Sequence, residues 1–109
     1  MAMSSAMASR TVAYESRDGQ RRDVRVDLGA PAPAPDQGDA WACEIRIAGF
    51  GTPVVRAIYG IDSMQALVLA LHLLPTELLA LARRDGGRYL DEPHLGLDHA
   101  CRVHLGIRG

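Results

Sequence analysis

Apolar and polar residues alternate over much of the first sixty positions, and then the period changes. Residues 11–15 set Val12 and Tyr14 on one side. Residues 22–28 read R-D-V-R-V-D-L, with Val24, Val26 and Leu28 facing one way and Asp23, Arg25 and Asp27 the other. A period of two is the half-buried strand of an antiparallel sheet. Arg17-Asp18-Gly19-Gln20 lies between these segments, and Asp-Gly favours a hairpin turn because its Gly accepts a positive φ. Residues 41–47 form a third alternating segment, with Trp41, Cys43, Ile45 and Ile47 opposed to Ala42, Glu44 and Arg46. Gly49-Phe50-Gly51-Thr52-Pro53 supplies the next turn. Residues 54–59 are a fourth strand that is apolar on both sides: Val55, Ala57 and Tyr59 against Val54, Arg56 and Ile58. That pattern predicts either a central strand or one that touches a partner.

After Gly60 the spacing becomes helical. Asp62 is placed to cap a helix by accepting a backbone N–H, and Gln65 three residues later completes a capping-box variant. Ile61 is placed to staple onto Ala66. Met64, Leu67, Leu71, Leu74, Leu78 and Leu81 recur at helical spacing. Pro75 removes one helical hydrogen bond, which predicts a kink or two helices end to end. Arg83 and Arg84 suit the negative helix end, and Gly86-Gly87 stops it.

Residues 29–39 carry Pro31, Pro33 and Pro35 at every second position, which favours a stiff extended surface loop. Residues 88–90 read as a short extra strand. The order β-β-β-β-α predicts an α+β domain: a four-stranded antiparallel sheet of two hairpins, with one long Pro-kinked helix on one face. The expected organisation is a flexible leader at 1–9, a single domain at 10–97 and a tail at 98–109.

The 109 residues suit one domain, and the formal net charge of −1 does not favour a broad phosphate-binding surface. The basic residues are all Arg, as a GC-rich coding bias would produce. Cys43 and Cys101 are far apart and form no CxxC pair, so a reducing cytoplasm is the expected compartment. The N-terminal residues lack the basic start and apolar stretch of a signal peptide. The apolar run at 66–74 is far shorter than the roughly 20 residues of a membrane span; extending it brings in Pro75, Thr76 and Glu77. No membrane association and no cofactor are expected.

Several of these segments together resemble a family. Arg22-Asp23-Val24-Arg25-Val26 is an R-x-V-x-V strand, residues 41–49 form a Trp-containing strand ending in I-x-G, and residues 59–67 match a Y-G-[IV]-D-x-x-Q-A-L helix start. Gly86-Gly87-Arg88 and Leu95-Gly96 add a turn and a later Leu-Gly pair. The pattern, over roughly residues 9–97, is similar to a group of small bacterial proteins known only as a domain of unknown function. The resemblance implies no activity. Pro75 and the extension after Asp98 depart from the pattern.

Three kinds of chemistry have candidate residues. His94, His99, Cys101 and His104 carry zinc-ligand groups, without a paired C-x-x-C or H-E-x-x-H spacing. Cys43 and His72 are the parts of a nucleophilic pair, which must lie within about 3 Å of each other; Cys43 alternates with core residues and reads as a small buried side chain, and His72 as a core or interface histidine. No Walker loop, G-x-S-x-G or dinucleotide fingerprint is present. Arg21, Arg22, Arg25, Arg46 and Arg56 would serve nucleic-acid binding if they shared one sheet face, although Asp23, Asp27 and Glu44 fall on outward positions too.

The leucine surplus is the larger clue. The helix is apolar nearly all round, and one sheet covers one side of it. Val68, Leu69, His72, Leu73 and Leu79 are left as interface candidates. Such a patch points to a protein partner, either a second copy in a homodimer or another chain. The expected function is a non-enzymatic protein-binding or accessory module, with the metal or enzymatic tail and the Arg-bearing sheet as alternatives.

Overall fold

A computed structural model describes residues 6–90. It is an α+β fold with one helix and an antiparallel sheet. The elements run β1 (Ala8–Glu15), β2 (Arg21–Leu28), β3 (Ala32–Pro33), β4 (Trp41–Ala48), β5 (Val54–Gly60), α1 (Ser63–Asp85) and β6 (Arg88–Tyr89). Among the described residues the sheet has six strands rather than the four expected. The two additions, β3 and β6, are two residues long; β6 falls within the short extra strand read at residues 88–90, whereas β3 carries no period to recognise. β3 comes from the Pro-rich loop: Pro33 lies opposite Trp41, and a ring without an N–H is tolerated because β3 is a short edge piece. β1 begins at Ala8, ahead of the domain start expected at residue 10, and Met7 already donates its N–H to the Leu28 carbonyl at 2.7 Å. The proposed tail at 98–109 lies outside the described residues.

β5 pairs along the whole of one edge of β4, from Trp41 opposite Gly60 to Ile47 opposite Val54. β3 and β2 therefore share the other edge, β3 beside Trp41 and Ala42, β2 beside residues 45–48. Across the sheet the order is β5, β4, β2, β1, β6, so α1 must carry the chain from one edge to the other. A 23-residue helix is about 35 Å long, which suffices.

Register fixes the faces. Val12 opposes Val24, Val26 opposes Ile47, and Leu28 opposes Ile45, so these side chains point together under α1. With Tyr14 and Cys43 they make the sheet side of the core, and all are buried. The helix contributes Ala66, Ala70, Leu74, Leu78, Leu81 and Ala82. This differs from the leucine stripe expected: Met64 is 73 % exposed, and Leu67 and Leu71 are only partly buried. The cause is close approach. A Cβ on Gly60 would lie 2.5 Å from the backbone nitrogen of Ala66, so the first turn of α1 sits directly on the end of β5. Small residues at 66 and 70 permit that contact, and the line they define faces the sheet. Gly60 is thus required for space rather than for an unusual φ.

Asp62 caps the helix as expected, accepting the Gln65 N–H at 2.7 Å. Gln65 reaches back to the N–H of Ile61, one residue beyond the usual target, at 2.8 Å. Ile61 does not staple the helix; it is 77 % exposed, because its expected partner Ala66 is buried against the sheet. The helix continues through Pro75 without division into two. It ends at Gly86, whose φ of 87° is left-handed and whose N–H reaches the Ala82 carbonyl.

Candidate interaction surface

Several of the charged groups on the sheet belong to local pairs. Arg21, Arg25 and Arg46 lie on the face away from α1, opposite Glu15, Thr11 and Val55 respectively. Arg22 and Arg56 lie on the helix side, since they oppose Tyr14 and Ile45. The five arginines expected on one face are therefore divided between two. Arg56 bonds Glu77 of α1 at 2.9 Å, and Arg22 approaches Asp85 at 3.9 Å. On the outer face, Asp27 accepts from Ser9 at 2.6 Å and from Arg25 at 2.9 Å. Burial opposes the Asp27 charge, but these bonds and the charges of Arg25 and Arg46 outweigh it and hold the carboxyl below its ordinary range. A mixed-charge face of this kind offers no broad cationic surface.

Cys43 and His72 do not meet. Cys43 is fully buried beneath α1, and its thiol donates to the Gly29 carbonyl at 3.3 Å. Burial raises its pKa, the reverse of what a nucleophilic thiolate needs. His72 is exposed on the outside of the helix. Among the described residues no three His, Cys, Asp or Glu side chains gather as a metal site. The candidates His94, His99, Cys101 and His104 lie outside the described residues.

Two hollows flank the helix. One, of about 140 Å³, is lined chiefly by Ala8, Arg10, Val26, Leu28, Leu71 and Leu74. The other, of about 380 Å³, lies at the start of α1 among Asp39, Tyr59, Gly60, Ile61 and Gln65. There the Asp62 carboxylate already occupies the positive end of the helix dipole. Neither hollow brings convergent catalytic groups together.

The exposed apolar surface is more organised. Val68 is 56 %, Leu69 36 %, Leu73 39 % and Leu79 39 % exposed. They fall on two lines. Val68, His72 and Leu79 follow the outermost line of the helix. Leu69 and Leu73 step by four residues to Glu77, whose bond to Arg56 fixes this line beside β5. β5 itself is an edge strand. One edge pairs with β4, and the other has no partner among the described residues. Its Val54 and Ile58 point under the helix, while Val55, Ala57 and Tyr59 point to the outer face. Val55 and Tyr59 are 41 % and 45 % exposed. The two-sided apolar pattern of this strand is that of an uncovered edge, not a central strand. The helix residues are legible in the sequence and this adjacency is not; apolar groups on both faces of residues 54–59 are its signal.

By length and composition α1 is also apolar enough to cross a membrane, with 28 % of its most apolar window buried. In this fold its inner line is part of the core beneath it.

No curated protein and no solved structure matches the chain. A family model does match, over residues 8–99, from the first residue of β1 onward. The chain belongs to DUF6968, a domain of unknown function.

Proposed function

We propose that this chain is a small non-enzymatic binding module that docks another polypeptide on the outer side of α1 and the adjoining edge of β5. One observation carries the reading: the exposed Leu69–Leu73 line runs beside a strand edge with no partner among the described residues. Apolar side chains supply affinity, and unpaired backbone groups supply direction, as in strand addition to a sheet edge. The chemically capable core groups, Cys43 and Tyr14, are buried and hydrogen-bonded within the fold. A reducing cytoplasm is the proposed setting.

The test is site-specific photo-crosslinking in the producing cell, with a photoreactive residue at Leu73 or, as the control, at Thr11 on the outer sheet face. Adducts identified by mass spectrometry should contain one defined polypeptide at position 73 and none at 11. Equal labelling at both positions, or no polypeptide adduct at 73, would refute the docking surface.

A further inference from the structure

We infer that the polypeptide docked on this surface is a second copy of the chain, with β5 pairing antiparallel to β5 of the copy about a twofold axis at Ala57. The inference rests on the docking surface proposed above and adds the identity and register of its occupant.

The edge is built to be paired. Sheet proteins usually guard a free edge with lysine, an interrupting proline, a bulge or an inward-pointing charge. β5 has seven residues, V-V-R-A-I-Y-G, with no lysine and no proline inside it. Its one charge, Arg56, lies on the helix side, but Glu77 of the same chain neutralises it at 2.9 Å, so it does not guard the edge as an unpaired charge. Its register with β4 is unbroken from residue 54 to residue 60, so there is no bulge.

The edge is also complementary to itself. With the axis at Ala57, Ala57 faces Ala57 of the copy, Arg56 faces Ile58, and Val55 faces Tyr59. No like charges meet, and the half-exposed Val55 and Tyr59 cover each other on the outer face. Pairings of β-branched with aromatic side chains are favourable across antiparallel strands.

The helices fit the same arrangement. α1 packs in equal measure on β4 and β5. A continuous sheet would place α1 of the copy on the same face, two strand spacings away, or about 10 Å. Helices pack at roughly 8–10 Å between axes. The line that faces the axis is the one fixed by Glu77, and the Gly60–Ala66 and Arg56–Glu77 contacts set Ala57 level with Leu73, so Leu73 would meet Leu73 of the copy, with Leu69 of each chain toward Glu77 of the other. One twofold operation thus covers the strand edge and the leucine line together, as an isologous interface requires.

Two substitutions at one exposed position test this. Ala57→Asp and Ala57→Lys each place like charges on the axis, and Glu44 lies opposite Ala57 within the chain, so the lysine variant keeps the better fold. Light scattering and native mass spectrometry should find two chains in the parent particle. Each variant alone should self-associate at least tenfold more weakly, and an equal mixture should regain a particle holding one chain of each. A parent that stays a single chain at about millimolar concentration overturns the inference. So do variants that dimerise like the parent, or a mixture that stays monomeric while both variants keep the parent's circular dichroism. A cross-link from Leu73 to a different polypeptide, with a monomeric parent, overturns the second copy while leaving the docking surface standing.

Discussion

The hydroxyl of Tyr14, on the first strand, donates a 2.7 Å hydrogen bond to the carboxylate of Asp85, the last residue of α1. A carboxylate at a helix C-terminus is unfavourable to the helix dipole. Here it is held by Tyr14 and approached by Arg22, whose guanidinium also lies 5.8 Å from the Tyr14 ring centre. Phe50 and Tyr89 pack edge-on against Tyr14 at 5.0 and 5.1 Å. Gly87 completes the corner, because a Cβ there would collide with Glu15 and the Tyr14 hydroxyl. The bond ties the end of the helix to the far side of the sheet, and so sets how α1 crosses it.

Removing that hydroxyl should loosen the helix end and alter the alkaline limb. Tyr14→Phe should cost about 2 kcal/mol in urea unfolding, the value of a hydrogen bond to a charged group. Burial first, then the bond to Asp85 and its charge, push the Tyr14 pKa up to about 12. Burial also raises that of Tyr89, whose hydroxyl donates to the Leu78 carbonyl at 2.7 Å. The unfolded chain ionises these phenols near pH 10, before the folded one does. Stability should therefore be complete below about pH 10 and fall as pH rises toward 12. A shallower loss in Tyr89→Phe would confirm the assignment; an unchanged slope would count against it.

Asp27 should govern the acid limb in the opposite sense. Its folded pKa is lowered, so its contribution is present above the unfolded value of about 3.9 and is lost as pH falls below that. Asp27→Asn should flatten the dependence of melting temperature on pH in this window and leave Arg25 without the anionic partner it has at 2.9 Å. Retention of the full acid slope would assign the effect to another carboxylate.

The helix start should behave as a structural device only. Asp62→Ala should cost about 1 kcal/mol, read from the urea midpoint, and Gln65→Ala should cost less because it frees the exposed Ile61 N–H. Neither change should weaken polypeptide capture at Leu73 under conditions where the fold persists. Loss of capture with an unchanged melting temperature would mean that the cap itself meets the partner.

Pro75 interrupts the hydrogen bonding of a helix that nevertheless runs unbroken from Ser63 to Asp85. Pro75→Ala supplies the missing N–H for the Leu71 carbonyl and relieves the ring. It should raise stability by about 1–3 kcal/mol, the helix-interior penalty less the gain in unfolded-chain entropy. A lower urea midpoint would show that the ring packs in a way that Ala does not replace.

The sequence by itself determined the features whose causes are local. The alternation in residues 22–28 and 41–47 needed only the period of a strand, and the Asp18-Gly19 turn only the positive φ of Gly19, 86°. The Asp62 cap acts across three residues, and the Gly86 stop across four. The tertiary structure decided what depends on neighbours. Arg56 left the face of Arg46 because register with β4 decides which side of β5 lies under the helix, whereas Arg22 was separable from Arg25 by alternation alone, since it shares the parity of Val24 and Val26. Alanines displaced leucines at the helix–sheet contact because Gly60 brought the backbones together. Tyr14 and Asp85 lie 71 positions apart, and no short-range pattern links them. The leucine surplus of α1 was visible in the sequence; its place beside an open β5 edge was not. Strand order is set by packing between distant segments, and residues 54–60 became an edge only when β2 and β3 took the other side of β4.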